Sequence, residues 1–230
     1  MQDGEMAKTD NPEPIPQIPQ IPQLGLSRER VLDAALRMAD REGIEALSMR
    51  KLAQELGVKA MSLYNHVTNK DDILDAIVDI VISEIEVPDL GLDWKTAMRQ
   101  RAISAHAVLL RHPWMTTTMV SRVNKGAAML RYVDATLGCL HEAGFSLEMA
   151  DYAWNAIDNH IYGFTLQELN FPFEAREYGE KAKNYISLIP CDRYPYLNQL
   201  AQNVMEGRYN GIYDFEFGLA LILDGLERLR

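Results

Sequence analysis

The side chains most suited to recognition chemistry lie in one short stretch, "LGVKAMSLYNHVTNKDDIL" at residues 56–74. It holds two lysines, a tyrosine and a histidine around small and thioether side chains. Lysine can donate to guanine acceptors in a DNA major groove, and alanine or methionine can pack on thymine methyl groups. Hydroxyl and imidazole groups reach base edges or phosphate oxygens. If these side chains share an outward face, the stretch predicts contact with duplex DNA.

A helix, a tight turn and a second helix would give them that face. Ser48 is a suitable cap for the segment "MRKLAQEL", and Gly57 is a suitable left-handed end. A two-turn helix is predicted to follow from about Lys59 to His66. The side chains expected to hold the two helices together are Leu52, Ala53, Leu56, Val58, Leu63 and Val67. The side chains expected to face DNA are Lys59, Ala60, Met61, Ser62, Tyr64 and His66. The residues expected to contact phosphates from the flanks are Ser48, Arg50 and Lys70.

Helical periodicity continues over nearly the whole chain, and few segments favour strand. We therefore predict an all-α fold with three parts: a disordered, Pro-rich arm at 1–25 with three IPQ repeats, a helix-turn-helix domain at 26–72, and a larger helical domain at 73–230. Proline at every third position favours polyproline II for the arm. Residues 170–195 contain several prolines and are predicted to form a long, partly ordered loop.

Composition favours a soluble protein of a reducing cytoplasm. The chain has 230 residues and a formal net charge of -10, which taken alone argues against nucleic acid. Residues 26–70, however, hold eight basic and six acidic side chains. Screening over about 8–10 Å lets such a segment bind phosphate beside an acidic body. The two cysteines are far apart, and we expect neither a signal peptide nor a membrane span.

The helix-turn-helix segment resembles the tetracycline-repressor (TetR) family of transcriptional regulators. The similarity covers residues 27–75 through "SMRKLAQELGV", "SLYNHV" and "NKDDIL". The resemblance implies that the DNA-facing and flanking residues occupy positions that the family uses against operator DNA. It also implies a ligand-responsive homodimer, most simply a repressor, that is released from a near-palindromic operator by a small-molecule inducer.

Two later segments resemble the helices with which tetracycline repressors pair their subunits: "GFSLEMADYAWNAIDNHIYGFTLQE" and "FEFGLALILDGLERL". Two such helices from each subunit would form a four-helix bundle. The expected dimerisation residues are Ala153, Ile157, Ile161, Phe164, Phe217, Leu221, Ile222 and Leu226. The alternative interpretation is that these side chains only fill the subunit's own core.

An inducer would bind in the larger domain, where methionines and polar ring tips could line a pocket. The candidate residues are Met98, His106, Met115, Met119, Met129, Tyr132, Trp154, Asn155 and His160. Core packing is the alternative for most of them. Aligned with tetracycline repressor, Met119 and Glu86 stand near the magnesium-binding and drug-contacting histidines. A lipophilic or aromatic inducer is therefore expected, rather than a magnesium–tetracycline complex.

Other classes of function are less well supported. The helical histidines lack the i, i+4 spacing of a zinc pair, and no phosphate-binding glycine loop or nucleophile elbow is present. We therefore expect no enzymatic activity, cofactor or metal. The remaining alternative is a helical scaffold whose IPQ arm is a peptide ligand, but it leaves the lysine-rich stretch unexplained.

Overall fold

The computed structural model describes residues 25–172, 177–209 and 214–230, so the predicted arm lies outside the described residues apart from Gly25. The described residues form α-helices joined by turns, with no strand. In order they are α1 (Arg28–Glu42), α2 (Met49–Glu55), α3 (Ala60–Leu63), α4 (Lys70–Ser83), α5 (Trp94–Arg111), α6 (Met115–Ser121), α7 (Ala127–Glu142), α8 (Leu147–Asn170), α9 (Tyr178–Tyr185), α10 (Pro195–Met205) and α11 (Phe215–Glu227). No helix among the described residues is both long and apolar enough to cross a bilayer.

Side-chain caps explain where several helices begin. Ser27, Ser48, Asn69 and Ser146 each accept a hydrogen bond from a backbone N–H in the first turn of α1, α2, α4 and α8. Such a cap satisfies a donor that the helix leaves unpaired and contributes about 1 kcal/mol. At the end of α2, Gly57 has a φ of 67°, which permits the sharp turn into α3. The start of the helix-turn-helix is thus set by local chemistry.

The larger domain is built around α5, α7 and α8. These helices pack on one another, α4 packs on α7, and α11 packs on α8 and α5. Trp94 meets Phe145 edge to face at a centroid distance of 5.1 Å, which joins the start of α5 to the α7–α8 turn. Helix α4 also contacts α1. It runs across the predicted boundary at residue 72 and belongs to both parts of the molecule.

Three segments differ from the sequence-based prediction. Helix α3 covers only Ala60–Leu63, with Lys59 and Tyr64 as its flanking caps. Helix α6 was not predicted. In the structure the Thr116 and Thr118 hydroxyls donate to the carbonyls of Pro113 and Trp114, which stabilises the turn. Residues 178–185 form α9, which packs on α10, where a loop was predicted.

Candidate DNA-binding and regulatory surfaces

The turn between α2 and α3 is fixed by backbone hydrogen bonds and by buried side chains. The N–H of Val58 donates to the carbonyl of Ala53, and that of Gly57 donates to Gln54. Leu52, Ala53, Leu63 and Val67 are buried, and Leu56 and Val58 are partly buried against them. All six side chains that were expected to point inward therefore face the core.

The residues proposed to contact DNA lie on the surface around α3. Met61 is 75% exposed and Tyr64 is 48% exposed. Lys59 and Arg50 are also exposed, whereas Ser48, Ala60, Ser62, His66 and Lys70 are partly exposed. The Ser48 oxygen accepts from Lys51 N–H, and its own proton remains available for a phosphate. The structure thus brings the nine residues to the two helices and their flanks, and their contact with DNA stays a prediction.

Hydrogen bonds to Asp72 connect the surface around α3 to α1. Its carboxylate accepts from the Arg28 guanidinium at 2.8 Å and from the Thr68 N–H at 2.8 Å. Arg28 also donates to the carbonyl of His66, just beyond α3. The bonds from Arg28 and Thr68 lower the pKa of Asp72 to about 2. An acidic residue that the sequence analysis passed over therefore sets the position of α3 relative to α1 and α4.

Helix α4 is bound to the start of α7 in the larger domain. The Asp79 carboxylate accepts from the backbone N–H groups of Ala128 at 3.2 Å and Met129 at 3.1 Å. A side chain at Gly126 would overlap Asp79, so this close approach requires glycine. Arg122, in the α6–α7 loop, donates to Asp75 of α4 at 2.8 Å. The α6–α7 loop and the first turn of α7 are thus fastened to the helix that begins at Lys70.

A second contact joins α1 to the turn between α5 and α6. Asp40 lies 2.7 Å from Nδ1 of His112 and accepts from the Trp114 indole N–H, also at 2.7 Å. The other ring nitrogen of His112 lies 3.4 Å from Glu84 at the end of α4. Movement of the α5–α6 turn would therefore displace α1 and α4 together.

Beside these contacts lies a groove of about 530 Å³ between α6, α7 and α8. This is within the usual size range of small-molecule sites. Three predicted ligand residues line it: Met119, Met129 and Trp154. The remaining lining residues are Arg122, Val123, Asn124, Leu130, Val133, Asp134 and Leu137. The mixture of apolar walls and a few polar groups is typical of a ligand site.

The other six predicted ligand residues do not line this groove. Met98 and Met115 are fully buried in the core, and Asn155 is exposed and bonds to Asp151 one turn earlier. His106 and His160 stack on Phe215 at 4.3 and 5.0 Å, where they pack α5 and α8 against α11. Burial lowers the pKa of His106. Met98, Met115, His106 and His160 therefore pack between helices, which was the alternative interpretation of these residues.

Tyr132, the last of the six predicted ligand residues outside the groove, belongs to a buried polar network. Its hydroxyl accepts from Arg101 at 2.6 Å, and Arg101 also pairs with Asp158. Asp158 accepts from the Trp154 indole N–H at 2.8 Å and from the Tyr162 hydroxyl at 2.9 Å. Arg101 is fully buried, so the loss of Asp158 would leave an unpaired charge in the core. The network ties α5, α7 and α8 together directly behind Trp154.

The proposed dimerisation residues divide into an outer and an inner group. Phe217 and Leu221 are 64% and 61% exposed on α11, and Phe164 and Ile222 are partly buried. Ala153, Ile157, Ile161 and Leu226 are instead buried in the subunit's own core, so their assignment to the interface was wrong. Both sides of α8 carry apolar residues, and the sequence did not distinguish the side that packs on α5 and α7.

The outer side of α8 carries further small or apolar residues beyond the eight expected dimerisation residues. Tyr152, Ala156, Gly163 and Leu166 are exposed at spacings of three to seven residues, which places them along one stripe. The stripe lies opposite the buried alanine and isoleucines. Their helical spacing relative to those buried positions was the signal that could have found them.

Comparison with known proteins agrees with this arrangement. The family model for bacterial regulatory proteins of the tetR family matches residues 31–77. The model for the tetracyclin repressor-like C-terminal domain matches residues 87–230. The two matches cover the helix-turn-helix with most of α4, and the whole of the larger domain from just before α5.

Individual relatives match over most of the chain. The HTH-type transcriptional repressor DrrR1 of Streptomyces coeruleorubidus is 33% identical over 218 residues, covering 90% of this chain and 80% of the relative. The class C tetracycline repressor protein of Escherichia coli is 33% identical over 215 residues, covering 89% and 92%. The structure of ActR from Streptomyces coelicolor in complex with actinorhodin superposes with a TM-score of 0.72 at 31% identity, covering 89% of this chain and 98% of that chain.

These matches confirm the all-α fold and the regulatory function predicted from the sequence, and they do not favour the scaffold alternative. They place the chain among transcriptional regulators and not in an enzyme family. The outward α3, the ligand-sized groove and the apolar outer faces of α8 and α11 are the parts that such a regulator needs. The chain therefore belongs to the tetR family of bacterial DNA-binding transcriptional regulators, with a tetracycline repressor-like C-terminal domain.

Proposed function

We propose that the chain is a homodimeric, cytoplasmic repressor without enzymatic activity, which binds a near-palindromic operator and is released by a small-molecule inducer. The observation that carries this proposal is the outward position of Met61 on α3 and of its two caps, Lys59 and Tyr64, while Leu63 on the other side of the helix is buried. α3 enters the major groove, and Arg50 and Lys70 hold the phosphates on either side. The repressor function of DrrR1 supports the direction of control.

The exposed faces of α8 and α11 form the subunit interface. Phe217 and Leu221 on α11 and the stripe of Tyr152, Ala156 and Leu166 on α8 would otherwise leave a large apolar surface in water. A two-fold axis through these helices produces a four-helix bundle. The two copies of α3 then lie about 34–36 Å apart, which is the spacing of successive major grooves.

The inducer binds in the groove and acts through α4. Arg122 lines the groove and also bonds to Asp75, and Met129 lines the groove while its N–H donates to Asp79. A ligand that displaces either residue shifts α4, and with it Lys70. The structure of ActR in complex with actinorhodin supports a small-molecule ligand for this chain.

The experiment is an electrophoretic mobility shift with the DNA upstream of the chain's own gene. The wild-type protein should bind a palindrome there with an affinity that falls as salt rises. Tyr64→Ala should weaken binding to that site about 5- to 150-fold, the equivalent of about 1–3 kcal/mol, and should affect random DNA much less.

Tyr196→Ala is the matched control, because Tyr196 on α10 is also exposed but lies outside the DNA-binding surface. It should bind like the wild type. If Tyr64→Ala reduced binding to the palindrome and to random DNA equally, α3 would not read bases. If no palindrome were bound at all, the proposed function would be wrong.

A further inference from the structure

A second apolar groove lies on the surface of the helix-turn-helix domain, between α1 and α4. It has a volume of about 460 Å³. Its apolar lining residues are Leu32, Leu36 and Ile80, and its charged lining residues are Arg28, Glu29 and Asp33. Ile80 is 36% exposed and Leu36 is partly exposed, so this α1–α4 groove leaves aliphatic side chains in contact with water.

The two helices run side by side in the same direction along the groove. The bonds between Arg28 and Asp72 join their first turns, and the shared histidine described above joins their C-terminal ends. In both places the residue at α4 stands 44 positions after the residue on α1. Ile80 also stands 44 positions after Leu36, so these two side chains lie level with each other, about two turns beyond Arg28.

The residues before α1 join the domain at the near end of the α1–α4 groove. Leu26 packs against the core, and the Arg30 side chain donates to the carbonyl of Gly25 at 3.1 Å. These contacts fix the position of Gly25 beside the first turn of α1. A Cβ at Gly25 would meet no atom within 4 Å, so the chain has room to reverse there. The chain that precedes Gly25 is therefore within reach of the groove.

The nearest part of that chain has apolar side chains at a spacing that suits the groove. The segment "PIPQIPQIPQL" at 14–24 has an isoleucine at every third residue, and polyproline II places them on one edge, about 9 Å apart. If residues 23–25 form the reversal, Ile21 and Ile18 stand about 6 and 16 Å along the groove. The two lining leucines stand about 6 and 12 Å beyond the first residue of α1. Ile21 then comes to the first leucine, and Ile18 comes to the second leucine and Ile80.

The polar side chains of the segment suit the charged side of the groove. Residues 14–24 carry no charge, so docking brings no like charge against Glu29 or Asp33. The glutamines between the isoleucines have amide N–H groups that can donate to those carboxylates. A segment that proline already stiffens also loses less conformational entropy on docking than a flexible chain does. An uncharged, proline-rich segment with isoleucines on one edge therefore matches both the apolar and the charged lining.

We propose that the IPQ arm of the same chain docks in the α1–α4 groove, with Ile21 on Leu32 and with Ile18 on Leu36 and Ile80. The arm then joins α1 to α4 within one subunit and covers their exposed aliphatic side chains. It lies beside the bonds from α1 that hold the surface around α3. Docking of the arm requires neither an operator nor an inducer, so it goes beyond the proposed function.

The test is disulfide cross-linking in the full-length chain. Ile18→Cys is combined with Ile80→Cys, and the exposed Cys191 is replaced by Ser, whereas Cys139 is buried and stays. Under mild oxidation a link within one chain should form between residues 18 and 80, identified by mass spectrometry of the tryptic peptides. Gln17→Cys with Ile80→Cys is the matched control, since residue 17 lies on another edge of polyproline II. The link from residue 18 should form at least about fivefold faster.

The control separates docking from simple tethering. An arm that is only tethered nearby would bring both cysteines to residue 80 at similar effective concentration, so equal rates would overturn the proposal. A link from residue 18 of one chain to residue 80 of another would overturn it as well, because the occupant would then be the arm of a second copy.

Calorimetry of the full-length chain gives a second measurement that needs no cysteine. The double variant Ile18→Ser, Ile21→Ser should lower Tm by about 2–4 °C, because it removes the apolar contacts of the arm. The double variant Gln17→Ser, Gln20→Ser changes the neighbouring edge and should keep Tm within about 1 °C of the wild type. The same Tm for both double variants would contradict docking through the isoleucine edge.

Discussion

Replacing Asp72 by Asn tests the clamp that holds α3 against α1. The asparagine keeps an oxygen for the Thr68 N–H but loses the charge that faces Arg28. The pKa of Asp72 falls from 3.8 to about 2 in the folded protein, and each pKa unit corresponds to about 1.36 kcal/mol. The upper limit is therefore about 2.4 kcal/mol. Solvent screening of the half-exposed Arg28 reduces the expected loss to about 1–2 kcal/mol.

The assay is differential scanning calorimetry, combined with the operator mobility shift. For a chain of this size the expected loss lowers Tm by about 3–6 °C at pH 7. Because the folded pKa is depressed, the stabilisation is present above the unfolded pKa and is lost as pH falls through about 2. The difference between variant and wild type should thus be constant from pH 7 to 5 and smaller at pH 3. Operator affinity should fall as well, since α3 loses its support.

Asp33→Asn is the control, because Asp33 makes an exposed pair with Arg37 within α1. Such pairs contribute about 0.3–0.5 kcal/mol, so Tm should change by less than about 2 °C. Equal losses of stability in the two variants would refute a stabilising role of the Asp72–Arg28 pair. A loss in Asp72→Asn that does not decrease towards pH 3 would refute it as well.

Three further predictions concern DNA binding, the packing of α11 on α8, and the dimer. Lys70→Ala should weaken binding to all DNA sequences and reduce the slope of log affinity against log salt by about one unit, and an unchanged slope would exclude a phosphate contact. Gly218→Ala should weaken the packing of α11 on α8 and lower Tm, because the new methyl group would overlap the His160 ring. Gly225→Ala is the control, since a methyl group there has open space and Tm should stay at the wild-type value. A lower Tm for both variants, or for neither, would contradict this packing. Leu221→Glu should yield monomers in analytical ultracentrifugation, since it places a charge on the exposed face of α11; an intact dimer would place the interface elsewhere.

The sequence predicted those features that local chemistry determines. The cap at Ser48 and the turn at Gly57 specified the helix-turn-helix, and the structure has them at the same positions. The inward side chains of α2 and α3 followed from helical spacing. Helix α6 was missed because its threonines satisfy their hydroxyls on the helix's own carbonyls, a contact that composition does not indicate.

Features that depend on distant parts of the chain were harder to predict. The inner and outer faces of α8 both carry apolar residues, and the inner face is the one that packs on α5 and α7. Arg122 and Asn124 stand in a loop, and nothing in their own neighbourhood marks them as lining a groove. Asp72 gains its role from Arg28, which is 44 residues away in the sequence. Methionine and histidine were selected for their chemistry, although in most cases packing determines where they lie.

Asp79 is hydrogen-bonded to the first turn of α7, so the part of α4 from Lys70 to Asp79 can rotate about that contact. Asp79 stands nine positions after Lys70, which is about 13.5 Å along a helix. A rotation of about 5° at that pivot displaces the Lys70 end by about 1.2 Å, enough to lengthen a 2.9 Å hydrogen bond beyond its useful range. If Lys70 contacts a phosphate as proposed, a side-chain rearrangement in the groove between α6, α7 and α8 needs no large domain movement to break that contact.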